Sequence, residues 1–169
     1  NFQRTGYTDA LIKGNSVNAW TIENIPNLKE INFINNSLVA ITKKCEVILI
    51  NEFTRENVWI YKTYSEITSR PTYYDGKLYF GSIEGRIICL DFASGKELWS
   101  YPISGSIYSS PLILGNSLIF GSNNGKLYSF DRVSGGKLWE YKTGGAIKSS
   151  PATCGKYVYF GSTSGTFYC

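Results

Sequence analysis

The residues of this chain whose types could do chemistry are Cys45, Cys89, Cys154 and Cys169, together with Asp91 and Asp131, and there is no histidine. Without an imidazole, Ser-His-Asp catalysis and most zinc centres are out of reach. The cysteines are too widely spaced to form the close ligand pairs of a zinc site and read as four separate buried or half-buried thiols. Gly161-Ser162-Thr163-Ser164-Gly165 has the outline of a nucleophile elbow, but its middle residue is threonine. Gly81-Ser82-Ile83-Glu84-Gly85 is the same hairpin in another place, so the segment reads as structural. No phosphate-binding glycine loop and no EF-hand pattern of acids occurs. Asp91 and Asp131 stand at equivalent places in neighbouring segments, which marks them as turn acceptors and not as a catalytic pair.

The elements that must position these residues are strands. Hydrophobic residues make up 43% of the 169 residues and aromatics 15%, and the 17 glycines suit turns that need positive φ. A formal charge of +4, with the basic residues scattered singly, argues against a nucleic-acid partner. The aromatics alternate with aliphatics as core residues do, instead of forming a base-stacking platform. Runs such as Val47-Ile48-Leu49-Ile50 fall far short of the roughly 20 residues that span a bilayer, so no integral membrane segment is expected. Residues 1 to 30 lack the basic start and apolar stretch of a signal peptide, which a mature exported chain would have lost.

An internal period organises the whole sequence. Trp59, Trp99 and Trp139 are spaced by 40 residues, and so are Pro71, Pro111 and Pro151. Gly81, Gly121 and Gly161, then Gly85, Gly125 and Gly165, and the pair Asp91 and Asp131 keep the same interval. Residues 76 to 115 aligned on 116 to 155 give 17 identities in 40 without a gap. Within one unit the pattern predicts four short strands: about Ile107 to Leu114, Ser117 to Ser122, Lys126 to Asp131 and Lys137 to Tyr141. Asn123-Asn124-Gly125 supplies a left-handed hairpin turn between the second and third. Asp131 can accept from the amides of Arg132 to Gly135, and Gly135 and Gly136 suit torsions costly for a residue with Cβ.

The first unit is degenerate, with Ile41, Cys45, Asn51 and Arg55 where later copies have glycine or aspartate. Val17 to Glu23, carrying Trp20, reads as one more fourth strand 39 residues before Trp59. The fold class predicted is therefore all-β, a propeller of four-stranded antiparallel blades. Residues 15–24 form an N-terminal outer strand, 29–63, 66–102 and 106–143 three blades, and 146–169 an incomplete fourth.

Leu90-Asp91-Phe92-Ala93-Ser94-Gly95-Lys96-Glu97-Leu98-Trp99 and Phe130-Asp131-Arg132-Val133-Ser134-Gly135-Gly136-Lys137-Leu138-Trp139 resemble the tryptophan-docking motif of pyrroloquinoline-quinone-like (PQQ-like) propellers. Ser109-Ser110-Pro111, Ser149-Ser150-Pro151 and the opening Phe2-Gln3-Arg4-Thr5-Gly6-Tyr7 are similar to the same family, so the resemblance covers nearly the whole chain. Trp-Asp and Gly-His marks of the other 40-residue propellers are absent, and kelch blades run longer. The resemblance implies that Trp20, Trp59, Trp99 and Trp139 dock between blades with Gly95, Gly135, Asp91 and Asp131, and the physical argument agrees. A buried indole brings the largest apolar area, and glycine lets backbone approach its ring. Such rings usually hold seven or eight blades, so about half is present, with the remainder from a longer chain, from a second copy, or replaced by closure through the Trp20 strand.

Two functions follow from the resemblance. The first is a non-catalytic scaffold binding protein or peptide at a rim or channel, with no cofactor evident. Arg70, Ser110 and Ser150, each just before a repeat proline, would line the axial opening, and Lys62, Lys142 and Lys148 would add positive potential near the loops. The alternative is part of a quinoprotein dehydrogenase holding PQQ and Ca²⁺ over the axis, although the adjacent-cysteine disulfide and long acidic loop of those enzymes are missing. A small ligand stacked on Tyr73, Tyr74 and Tyr108 is a third reading. The family resemblance implies an extracytoplasmic location, and Asn35-Asn36-Ser37 matches a glycosylation acceptor without settling export.

Overall fold

A computed structural model describes residues 25–169, together with the backbone of residues 2–3 and 21–22. Two short strands, β1 (Phe2–Gln3) and β2 (Thr21–Ile22), pair with each other. Trp20 and most of the segment predicted as an outer strand lie outside the described residues. The rest forms a series of antiparallel sheets, each meandering in chain order. Blade 1 comprises β3 (Leu28–Ile34), β4 (Ser37–Thr42), β5 (Glu46–Asn51) and β6 (Asn57–Lys62). Blade 2 comprises β7 (Thr72–Tyr74), β8 (Lys77–Gly81), β9 (Arg86–Asp91) and β10 (Glu97–Pro102). Blade 3 comprises β11 (Leu112–Leu114), β12 (Ser117–Gly121), β13 (Lys126–Asp131) and β14 (Lys137–Lys142). Blade 4 has β15 (Ala152–Thr153), β16 (Val158–Gly161) and β17 (Phe167–Tyr168). No helix among the described residues is long and apolar enough to cross a membrane.

The core lies between blades, not within them, which is why the second and third strands read as continuous apolar runs buried on both faces. Val39, Ile41, Val47 and Leu49 of blade 1 pack on Leu78, Phe80, Ile88, Leu90 and Phe92 of blade 2. Tyr79, Ile87 and Cys89 on the opposite face of blade 2 pack on Leu118, Phe120, Tyr128 and Phe130 of blade 3. Each joint thus removes several large side chains from water at about 25 cal/mol per Å² of apolar surface. First strands of successive blades converge. Arg70 Nε lies 2.9 Å from Glu30 Oε1, and the Ser110 amide donates to Ser150 Oγ at 2.8 Å.

Three local expectations are corrected. The first strand of blade 3 begins at Leu112, not Ile107, because Ser109 replaces the ladder with its side chain. Its Oγ accepts from the Gly121 amide at 2.7 Å and donates to the Gly121 carbonyl at 2.9 Å, while Pro111 has no N–H to offer. Gly125 takes φ +80 alone, without a left-handed Asn124 beside it. Gly135 takes φ +73, but Gly136 is not left-handed, so the lysine at the equivalent position 96 is accommodated without strain.

Candidate functional site

The turn between the third and fourth strands is the receiving half of each joint. In blade 3, Asp131 Oδ1 accepts from the amides of Val133 and Ser134 at 3.0 and 2.7 Å and from the Ser134 hydroxyl, while Asn116 donates to its other oxygen. Asp91 accepts from the amide of Ser94 at 2.8 Å and from its hydroxyl. Hydrogen bonds from Ser94 hold the Asp91 carboxyl below the usual aspartate range, and those from Ser134 do the same for Asp131. Neither carboxylate touches an indole; each shapes the loop that meets one.

The donating half is the tryptophan on the fourth strand, beside a one-residue register shift in blades 1, 2 and 3. Trp59 Nε1 donates to the Phe92 carbonyl at 2.9 Å, and Trp99 Nε1 to the Arg132 carbonyl at 3.3 Å. Each ring lies flat against a glycine. A Cβ on Gly95 would stand 2.5 Å from Trp59 Cδ2, and one on Gly135 would stand 2.5 Å from Trp99 Cδ2. Both indoles are half-buried, whereas Trp139 is 43% exposed.

The joints also contain partners that sequence reasoning missed. Gly81 receives Ile107 of the next blade, and Gly121 receives Ile147, each so closely that a Cβ would stand 2.4 or 2.3 Å from the isoleucine Cγ2. Buried Ser69 accepts from the Gly81 amide at 2.6 Å, as Ser109 does from Gly121. The signal for both was present in the 40-residue register of Ser69, Ser109 and Ser149, but a serine in a repeat carries no mark of being buried. Arg132 ties blade 3 to blade 2 with a 3.2 Å ion pair to Asp75 and a stacked contact 4.7 Å from the Tyr74 ring.

The residues expected at the axial opening sit on the converging edge. Equivalent positions 30, 70, 110 and 150 are Glu, Arg, Ser and Ser, and they meet in pairs, as the Glu30–Arg70 ion pair and the Ser110–Ser150 hydrogen bond. Arg70 keeps a largely exposed side chain despite its pair. Next to this row, Lys148 Nζ lies 6.0 Å from the centre of the exposed Tyr108 ring. Tyr73 packs 4.7 Å from Phe92, and Tyr74, although exposed, has Arg132 over its ring. Lys62 pairs with Glu46 at 3.5 Å.

The cysteines divide by environment. Burial pushes the Cys89 thiol up to about 12, and Tyr79 beside it to about 12 for the same reason. Cys154 and Cys169 are exposed, contrary to the expectation of buried thiols, and a hydrogen bond with the Tyr159 hydroxyl lowers the Cys154 thiol. All four cysteines are free. Among the described residues no group of three or more His, Cys, Asp or Glu is placed to hold a metal ion.

Residues 43–168 match the family model described as outer membrane protein assembly factor BamB. No curated protein matches the chain in sequence. Among solved structures, BamB from Moraxella catarrhalis superposes with a TM-score of 0.70 at 24% identity, over 78% of this chain and 42% of that one. The computationally designed Ika4 protein gives 0.77 at 17% identity, over 88% of this chain and 93% of its own. A europium-containing methanol dehydrogenase gives 0.59 at 18% identity, over 66% of this chain and 24% of its own. At these identities the likenesses establish the fold, and this chain spans less than half the length of the BamB it matches.

Proposed function

Because the chain belongs to the PQQ-repeat propeller family of the outer membrane protein assembly factor BamB, we propose that it is a non-catalytic scaffold that binds polypeptide at the converging edge of its blades, outside the cytoplasm. One observation carries the reading. The residues that repeat are spent on turns and joints, while the converging edge carries side chains that do not repeat and remain open to solvent, Arg70, Tyr108 and Lys148 among them. A guanidinium with five donors, an exposed phenol and an ammonium suit the carbonyls and carboxylates of an extended peptide.

The test is fluorescence anisotropy with a set of extended peptides, acidic and neutral. Saturable binding that weakens roughly tenfold, about 1.4 kcal/mol, in an Arg70→Ala, Tyr108→Ala double variant is expected, with Lys62→Ala unchanged. Equal affinity in all three proteins would remove the converging edge from the reading.

The alternative implied by the resemblance is a propeller that holds PQQ and Ca²⁺. Calcium takes six to eight oxygen ligands, whereas the axial row offers one carboxylate, Glu30, already beside Arg70, and two serines. The described residues of this row do not fit that group. A quinone absorbance retained through gel filtration after loading with PQQ and Ca²⁺, together with dye-linked alcohol oxidation, would overturn the scaffold reading.

A further inference from the structure

Each meandering sheet sends its connections alternately to two ends. The hairpins between second and third strands and the connectors between blades lie at one end, where neighbouring blades are tied together. There the Ile107 amide donates to the Ser82 carbonyl at 3.1 Å and the Ile147 amide to the Ser122 carbonyl at 3.0 Å. The turns between first and second and between third and fourth strands lie at the other end. Charge is divided unequally between them. At the turn end the described residues carry six cations and six carboxylates, and at the connector end nine cations and four carboxylates. Lys29, Lys62 and Arg70 at the connector end pair with Glu66, Glu46 and Glu30, while Arg86 and Lys126 reach Glu97 and Glu140. What is left is Lys43, Lys44, Lys142 and Lys148, all exposed, against Glu84 alone. We infer that this end receives an acidic stretch of an extended polypeptide partner, with Lys43 and Lys44 on blade 1 and Lys142 on blade 3 as the cations that meet its carboxylates. The inference rests on the polypeptide-binding reading above and gives that partner its charge.

Two features separate these lysines from ordinary surface charge. The first is a like-charge pair. Lys142 stands directly opposite Lys126 across the third and fourth strands of blade 3, where the equivalent residues of blade 1 are Glu46 and Lys62, an ion pair at 3.5 Å. Like charges directly opposite each other destabilise a strand pair, and Glu140 pairs with Lys126 but not with Lys142. A carboxylate from outside relieves that repulsion as it binds. The second feature is a fixed turn. The buried Thr42 hydroxyl accepts from the amides of Lys44 and Glu46, each at 3.3 Å, so Lys43 and Lys44 project from a hairpin held by its own hydrogen bonds. Between these cations the connectors over residues 103–107 and 143–147 hold no charged side chain, and Gly105 and Gly144 in them are exposed. Backbone left uncovered in this way can exchange hydrogen bonds with another backbone. A bilayer surface calls instead for a bulky apolar face beside the lysines, and a nucleic-acid strand for a platform of aromatic rings. The exposed aromatics of this end, Tyr64 and Tyr108, stand on different connectors, and Lys148 lies over the second.

The test is fluorescence anisotropy with a labelled peptide in which glutamate alternates with serine, beside the same peptide with glutamine for glutamate. Two triple variants remove the same net charge from opposite ends: Lys43→Ser, Lys44→Ser, Lys142→Ser from the connector end, and Lys77→Ser, Lys96→Ser, Lys156→Ser from the turn end. The glutamate peptide is expected to bind about tenfold more tightly than the glutamine peptide. The first variant should lose about that tenfold and the second less than about twofold, and the difference should vanish in about 1 M salt, where the screening length is about 3 Å. Equal losses in the two variants would reduce the effect to net charge and overturn the site. No loss in the first variant would overturn it too, and if the Arg70→Ala, Tyr108→Ala double variant still weakened binding, the scaffold reading would stand without it. Conversely, loss in the first variant with no change in that double variant would keep the acidic partner and remove the converging edge. A single-stranded oligonucleotide and vesicles of equal parts phosphatidylglycerol and phosphatidylcholine are expected to bind more weakly than the glutamate peptide at about 0.15 M salt. Tighter binding of either, lost in the first variant, would make a nucleic acid or a lipid surface the partner and overturn the polypeptide.

Discussion

In blades 2 and 3 the turn into the fourth strand reads Asp-x-x-Ser-Gly, and in blade 1 it reads Asn51-Glu52-Phe53-Thr54-Arg55, yet the backbone is the same. Asn51 Oδ1 accepts from the amides of Phe53 and Thr54 at 2.8 and 3.0 Å, where Asp131 serves Val133 and Ser134. The fifth residue donates its amide to the first residue's carbonyl in all three turns, at 2.9, 2.9 and 2.8 Å. Cys45 likewise holds φ 61 in the hairpin where Gly85 and Gly125 hold φ 80. Blade 1 thus separates two roles of glycine that coincide elsewhere. The left-handed torsion can be borne by arginine or cysteine at a cost of about 1–2 kcal/mol. An approach to an indole as close as that of Gly95 to Trp59 leaves no room for a Cβ, which would stand 2.5 Å from the ring. At positions 95 and 135 the glycine is required by the neighbour and only eased by the turn.

The comparison can be broken most forcefully at the tryptophans. Trp99→Ala is expected to cost about 3–5 kcal/mol in urea unfolding, as large-to-small core changes do. Trp139→Ala in the same chain should cost less than about 1 kcal/mol, since its ring is already half in water; near-equal losses would mean that the joint does not hold the indole. Next comes the glycine contrast. Gly95→Ala combines a left-handed alanine with overpacking against Trp59 and should cost about 2–4 kcal/mol, whereas Gly76→Ala, at φ +70 with nothing within 4 Å of its Cβ, should cost about 1 kcal/mol. A gap below the error of the two unfolding curves would make torsion, not contact, the reason for Gly95.

Smaller and opposite in sign is the repair of blade 1. Arg55→Gly or Cys45→Gly should stabilise by about 0.5–1 kcal/mol, the relief of left-handed strain less the added entropy of a glycine in the unfolded chain. Destabilisation by either variant would show that these side chains contribute packing that outweighs the torsion. The smallest effect concerns acid. Asp91 and Asp131 have folded pKa values below the unfolded value of roughly 3.9, so their contribution is present above that pH and lost as pH falls through the lowered folded values. Asn51 has no proton to gain. Amide exchange should therefore quicken at Ser94 and Ser134 below about pH 4 relative to Phe53 and Thr54, and Asp131→Asn should abolish the difference at Ser134.

Much of this was legible in the sequence because a repeat states its own alignment. The 40-residue spacing of tryptophan, proline and glycine, with apolar runs between turn residues, is enough to place the second, third and fourth strands of blade 3 within a residue at each end. Asn35 and Asn36, read in the sequence only as part of a glycosylation acceptor, take φ values of 47 and 56 and make the tight hairpin between β3 and β4. Strand ends were harder. Only Ile107 and Tyr108 of the Ile107 to Pro111 segment are strand types, and Ser109 captures the Gly121 amide by a side-chain bond that leaves no trace in a hydropathy pattern. The converging edge was legible as positions but not as pairs, since residue type alone does not say that Glu30 faces Arg70 or that Ser150 accepts from Ser110.

By itself the sequence determined the unit, its strands and turns, and the register in which one copy follows another. These depend on local torsions and on alternation, which each segment carries within about ten residues. Only the tertiary structure decided what each repeated residue is for. Trp59 reaches a carbonyl 33 residues away and Tyr79 one 53 residues away, across joints whose spacing is set by side chains packing between two sheets. There a glycine becomes the floor beneath an indole, and an isoleucine fills the space that another glycine leaves.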